Sequence, residues 1–248
     1  MDGQGFKQQA FPAHDMAAAR RELAGSGALR VGVVYAPQPS PFFVVRDADH
    51  NLTGVTVDLG RELAAVLDVP VSLTGVAGSG ELVDALEDGR LDVAFMPVDD
   101  VRRQRIDFGP DYYVVDSTCL VRAGSQVDTI DAMNEPHVRV AGIAETTTIR
   151  AAQRALPHAR FTPVSSVDDA LRLLRDETVD AIALSRDVLD NYQPQFPGSQ
   201  ILKGAFHTVR IAIAVGKSKP AALSFVTLFM EQAKRTGLVQ RAFERAGV

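Results

Sequence analysis

DALEDGRLDVAF (residues 84–95) and RLLRDETVDAIA (172–183) carry one pattern twice, offset by 172 − 84 = 88 residues. Each reads as the end of a helix, a polar turn, and a strand of apolar–Asp–apolar form. Upstream of the first copy, Leu29–Tyr35 (LRVGVVY) is a short apolar run suited to a strand buried on both faces. Residues 54–67 place Val55, Leu59, Leu63, Val66 and Leu67 on one face of a 3.6-residue period, which predicts a helix. A strand is expected over Val69–Leu73. A helix is expected over 80–88, with Ser79 as its cap and Gly89 as its stop, and a buried strand over Leu91–Met96. Alternation of helices with apolar strands implies right-handed crossovers and a mostly parallel sheet.

Around the second copy the order returns. Val138–Ile143 reads as a strand, 147–156 as a helix, 167–176 as a helix capped by Ser165 or Ser166, and Val179–Leu184 as a strand. The fold class expected is α/β: two α/β lobes with mostly parallel sheets, joined by two hinge strands. The domains expected are 1–27 as a tail and helix, 28–115 plus 211–248 as lobe 1, and 116–210 as lobe 2. Residues 1–14 read as a loose polar tail, and Asp15 as the cap of a helix running to about Gly25. At the other end, Val209–Val215 reads as a strand, followed by helices at about 220–234 and 237–246. Phe225, Leu228, Phe229 and Met230 form an apolar stripe, and this tail is expected to pack back on the first lobe.

Composition narrows the function. At 248 residues the chain makes one large domain or two small ones. The net charge of −5 provides no positive field for nucleic acid or an anionic membrane. Cys119, the single cysteine, excludes an internal disulfide and a multi-cysteine zinc site. The longest uncharged stretch near the end, Pro220–Met230, is too short to span a bilayer. The start, MDGQGFKQQAFPAHD, lacks the basic-then-apolar form of a signal peptide, so the chain is expected either to be cytoplasmic or to have lost its leader. Five scattered histidines show no metal-ligand spacing, and no cofactor is called for. GVAGSGE (75–81) lacks the rest of a phosphate loop. Cys119 in STCLV reads as a packed thiol.

An ordered set of residues carries a family resemblance. Gly54/Asp58/Leu59 open a helix, Gly89/Asp92 precede a strand, Arg102 stands six residues before Phe108, and Tyr112/Tyr113 follow. With GIAETTT (142–148) and RIAIAVGKSKP (210–220), these resemble type II periplasmic solute-binding proteins, the polar amino-acid-binding family 3 of ABC transporters, over roughly residues 28–248. The resemblance implies a monomer that closes two lobes on a ligand, delivers it to an ABC permease, and is not an enzyme. It implies that Arg102 holds a ligand carboxylate opposite main-chain N–H groups near Thr146 and Thr147. Residue chemistry agrees. A guanidinium matches a carboxylate in plane, and a helix start offers N–H groups and partial positive charge. Tyr35, Phe42, Ser79, Phe95 and Met96 are expected to complete the first lobe's lining.

Several positions depart from that family. Pro97 replaces the usual Thr, Gly78 an aromatic, and Ser185, next to Arg186, the acid that usually holds a ligand ammonium. Glu145 stands where glycine is common. Either the ligand lacks an ammonium, which these changes slightly favour, or Glu145 supplies the negative charge from a new position. Two alternatives belong to other classes: a cyclohexadienyl-dehydratase-like enzyme with Glu145 as acid, and a cytoplasmic ligand sensor.

Overall fold

The structure, a computed structural model, describes residues 13–36 and 39–248. Nearly all of the polar tail read over 1–14 lies outside the described residues, as does Pro37. The chain divides into two compact units, one of residues up to Tyr113 together with Ile211–Val248, the other Val114–Arg210.

The first unit contains α1 (Ala13–Leu23), β1 (Leu29–Val34), β2 (Val45–Arg46), β3 (Leu52–Thr53), α2 (Val55–Leu67), β4 (Val71–Val76), α3 (Ser79–Glu87), β5 (Val93–Pro97) and the short α4 (Asp100–Arg103). The chain leaves it along β6 (Ile106–Val121). The second unit adds β7 (Arg139–Ile143), α5 (Thr147–Ala155), β8 (Arg160–Val164), α6 (Val167–Arg175), β9 (Ala181–Ser185), α7 (Arg186–Tyr192) and β10 (Gln200–Ile201). The chain returns along β11 (His207–Gly216) to α8 (Pro220–Arg235) and α9 (Leu238–Ala246).

The strands of the two units are ordered alike. In the first unit the order is β4-β1-β5-β11: β1 is parallel to β4 and β5, and β11 runs antiparallel to β5 with Ile211 opposite Pro97. In the second it is β8-β7-β9-β6: β7 is parallel to β8 and β9, and β6 runs antiparallel to β9 with Ser117 opposite Ser185. This is the mixed α/β class with mostly parallel sheets that the alternation of elements predicts.

Each unit has its own core. Val34, Leu82, Leu86, Met96, Ile106 and Ala214 cluster in the first, and Cys119, Val140, Leu156, Ala181 and Leu202 in the second. The stripe on α2 is buried as its period requires. Gly54 precedes that helix at φ 144°, and a Cβ there would lie 3.2 Å from the Val44 Cα, so only glycine fits. The closing helices stay with the first unit: α8 packs on α1, where Glu22 accepts the Ala222 N–H at 2.8 Å and so caps α8, and α9 packs on α2.

Some element boundaries differ from expectation. α1 begins at Ala13, which places Asp15 in its first turn, near the positive end of the dipole, instead of at the cap. β4 starts at Val71, two residues late, because Asp68 in the left-handed region closes α2 and its N–H bonds back to Ala64 and Ala65. Gly78 is the cap of α3, its N–H donating to Glu81 at 3.2 Å, and Ser79 lies inside the helix. Leu228 leaves the stripe and is 37% exposed, while Phe225, Phe229 and Met230 are buried.

Candidate functional site

In open α/β sheets, ligands bind beyond the carboxyl ends of the strands. In the first unit that edge carries Pro97, the last residue of β5, and the turn after it. Asp99 caps α4 by accepting the Arg102 N–H at 2.8 Å, and this single helical turn directs the Arg102 side chain inward. The guanidinium is held from several sides. Nη1 donates to the Pro97 carbonyl at 2.9 Å, Nη2 donates to Ser79 Oγ at 2.7 Å, and Nε lies 3.7 Å from Asp99 Oδ2. Arg102 is 3% exposed, so these contacts form where water competes little.

The neighbouring arginines go elsewhere. Arg103 stacks over the Phe108 ring at 5.6 Å, and Arg105 turns to Glu87 and to Asp84 at 2.8 Å on α3. Among the three, burial distinguishes Arg102. Pro97 has no N–H, yet its carbonyl fixes Arg102, so the departure at this position still contributes a polar contact.

The expected aromatic lining disperses. Tyr35 is 40% exposed, with the Arg46 guanidinium 5.7 Å from its ring centre. Phe42 is half-buried beside Phe43. Phe95 is fully buried, edge-on to Tyr112 at 5.8 Å, and Met96 is fully buried in the core.

In the second unit the corresponding edge comprises the ends of β7 and β9. Thr146 caps α5: its Oγ1 accepts the Ile149 N–H at 3.2 Å and donates to the Ile143 carbonyl at 2.7 Å. Thr147 is buried, and Thr148 Oγ1 lies 3.4 Å from Ser117 Oγ. Glu145 is exposed and takes φ 58°, a left-handed conformation costing about 1–2 kcal/mol for a residue with a Cβ. Arg186 donates to the Leu202 and Gly204 carbonyls at 3.3 and 2.6 Å, tying α7 to the loop beyond β10.

Sequence reasoning missed Asp187. It follows the two residues singled out at the end of β9, and burial pushes its carboxyl above the usual range. Hydrogen bonds from Ser185, the Val188 N–H and its own N–H work in the opposite direction. Its Oδ1 is buried with no hydrogen-bond partner. No periodicity marks it, because its burial depends on tertiary packing. Among the described residues, no group of three or more His, Cys, Asp or Glu is placed to hold a metal, and no helix is long and apolar enough to cross a membrane.

Two α/β units entered and left by two long strands, with polar groups at the strand ends, define a binding protein of the periplasmic type II architecture. The chain belongs to the bacterial extracellular solute-binding proteins, family 3, whose model matches residues 29–247. It is similar to the crystal structure of the ancestral amino acid-binding protein AncCDT-1, described as a precursor of cyclohexadienyl dehydratase: TM-score 0.78, 26% identity, covering 90% of this chain and 97% of that one. Among curated relatives, it is 26% identical over 176 residues to membrane-bound lytic murein transglycosylase F of Aeromonas hydrophila subsp. hydrophila, covering 69% of this chain. It is also 26% identical over 171 residues to the "Probable histidine-binding protein" of Campylobacter jejuni subsp. jejuni, covering 68% of this chain. The matches span 34% and 64% of those two proteins' own lengths.

Proposed function

We propose that this solute-binding protein captures a small carboxylate-bearing ligand as the binding component of an ABC transporter. Arg102 of the first unit receives the carboxylate. The observation that supports the reading is the pre-positioned guanidinium of Arg102, buried at 3% exposure against Ser79 and the Pro97 carbonyl. A planar donor whose side-chain entropy is already lost binds a carboxylate at lower cost. The amino-acid-binding descriptions of its relatives agree, since every amino acid carries a carboxylate. Thermal-shift titration with small carboxylic and amino acids tests this. At 100 times its dissociation constant a ligand adds about 2.7 kcal/mol of stability. A wild-type shift that persists unchanged in Arg102→Ala would refute the assignment.

One observation favours a second reading, an enzyme of the cyclohexadienyl-dehydratase kind. The ancestral binding protein that the chain resembles is described as a precursor of cyclohexadienyl dehydratase, and burial raises the Asp187 carboxyl above its ordinary value. Asp187 then joins Glu145 as a candidate acid. Turnover of prephenate or arogenate by wild type, lost in Asp187→Asn or Glu145→Gln, would establish it.

A further inference from the structure

We propose that the second unit carries a binding site of its own for a small phosphate-type oxyanion, formed by Arg122, His137 and Arg139 at the amino ends of its parallel strands. The site lies wholly within Val114–Arg210 and is independent of Arg102.

A pocket of about 300 Å³ opens there, lined by Arg122, Gly124, Gln126, His137, Arg139 and Asp180 among others. That volume is at the lower end for small-molecule sites and suits a small ligand. Arg122 directly follows β6, Arg139 opens β7, and Asp180 directly precedes β9. The pocket therefore sits at the opposite edge of these strands from Ser185 and the start of α5. One wall is the turn over Arg122–Val127, where the Ser125 N–H donates to the Arg122 carbonyl at 3.4 Å and the Val127 N–H to Ser125 Oγ at 3.2 Å.

The charges in this pocket do not cancel. Asp180 accepts from Arg139 Nε and Nη2 at 3.0 and 2.9 Å and from Arg122 Nε at 3.2 Å, so both of its oxygens are engaged. Two guanidinium groups thus share one carboxylate. Glu177 Oε2 lies 3.7 Å from Arg122 Nη1, but that side chain is 75% exposed, and an ion pair in open water contributes little. The hydrogen bonds of Arg122 use Nε and Nη1, and those of Arg139 use Nε and Nη2. Arg122 Nη2 and Arg139 Nη1 remain to donate, and the exposed His137 adds a ring N–H. Donors from three separate positions exceed what the two oxygens of one carboxylate would align with, whereas a phosphate group offers at least three acceptor oxygens.

The first unit shows what the strand lock alone requires. There Arg30 holds Asp92 through Nε and Nη2, and the second cation is Lys219, 3.9 Å from Oδ1 and too far for a hydrogen bond. The Asp92 side chain is 3% exposed, against 16% for Asp180. Locking two strands therefore needs neither a second arginine fork nor an opening to solvent. The second unit has both, and they meet in the pocket.

The test is calorimetric titration of the whole chain with inorganic phosphate and, separately, with succinate, at fixed ionic strength, together with amide NMR shifts. Saturable phosphate binding is expected, with shifts centred on residues 122–127 and 137–139. Arg122→Gln should weaken it about tenfold or more, as loss of a charge-assisted bond would. His137→Ala removes an exposed side chain, so it should keep the wild-type melting temperature and weaken phosphate several-fold. If Arg122→Gln does not fold, His137→Ala and the wild-type shifts decide. The proposal is overturned if phosphate does not saturate, if either folded variant binds it like wild type, or if the shifts centre elsewhere, around Arg102 or Thr146 included. Succinate binding at the same amides with equal affinity would refute the phosphate class.

Discussion

Arg139 is clamped onto Asp180: its main-chain N–H and Nε donate to Oδ2 at 2.9 and 3.0 Å, and Nη2 donates to Oδ1 at 2.9 Å. The Asp180 N–H returns a bond to the Arg139 carbonyl at 2.8 Å. The first unit makes the same four bonds between Arg30 and Asp92: 2.9, 2.8 and 2.6 Å from the arginine, and 2.9 Å in return. Both aspartates precede the third parallel strand of their unit, and both arginines lie on its first. The aspartate repeated at an offset of 88 residues therefore serves the fold, locking neighbouring strands at their amino ends, away from the edge where a ligand is expected.

That lock predicts a pH response. Hydrogen bonds from Arg139, then from Arg122, hold the Asp180 carboxyl down to about 2. A carboxyl depressed on folding contributes stability that is complete above its unfolded value near 4 and is lost as pH falls from there toward 2. Asp180→Asn is expected to lower stability by about 2 kcal/mol at pH 7, with the difference from wild type shrinking below pH 4. Urea unfolding at pH 7 and pH 3 checks both values, and a pH-independent difference would show that the charge is not responsible.

Gly54→Ala should destabilise the first unit by about 1–3 kcal/mol. Its φ of 144° is closed to alanine, and the new Cβ would press on the Val44 main chain at 3.2 Å. A chemical denaturation midpoint equal to wild type would contradict this.

How much of this was legible in the sequence depends on the range of each contact. The stripe of α2 announces its helix because one face of one element decides it. β6 was not legible: Asp107, Gly109, Pro110, Asp111 and Asp116 interrupt any alternation over its sixteen residues, so only pairing with distant strands defines it. α4 is four residues long and depends on the Asp99 cap. At the candidate site, register singles out Arg102, whose burial only the structure shows, and Ser79 reads as a cap because serine favours that position. The structure gives the cap to Gly78 and the Ser79 hydroxyl to an arginine 23 residues away. Local propensity cannot anticipate a partner at that distance.

Ser79→Ala follows from that contact. It leaves Arg102 Nη2 without its 2.7 Å acceptor in a buried setting, which costs about 1–3 kcal/mol. Lower stability is expected, together with weaker binding of any ligand that Arg102 holds, and Ser79→Thr, which keeps the hydroxyl, should restore both. Unchanged denaturation and binding in Ser79→Ala would mean that Arg102 does not need this support.

Cys119 should be inert. Burial pushes its thiol up to about 12, so almost no thiolate exists near neutrality. A thiol reagent at pH 8 is expected to label it only in denaturant, and stoichiometric labelling of the native protein would contradict the burial.

Asp187 carries the opposite sign to Asp180. Burial raises its carboxyl above the ordinary value, so the folded protein binds a proton more readily than the unfolded chain does. Stability is then highest below the unfolded value near 4 and falls as pH rises through the folded one, leaving a penalty at neutrality. Asp187→Asn removes the buried charge and keeps an acceptor for the Val188 N–H. It is expected to be as stable as wild type or more so at pH 7, and to lose that advantage below pH 4. A variant clearly less stable at pH 7 would mean that the hydrogen bonds from Ser185 and the α7 main chain outweigh desolvation, so that burial does not raise the carboxyl. That outcome would also remove the observation that makes Asp187 a candidate acid of a dehydratase-like reaction.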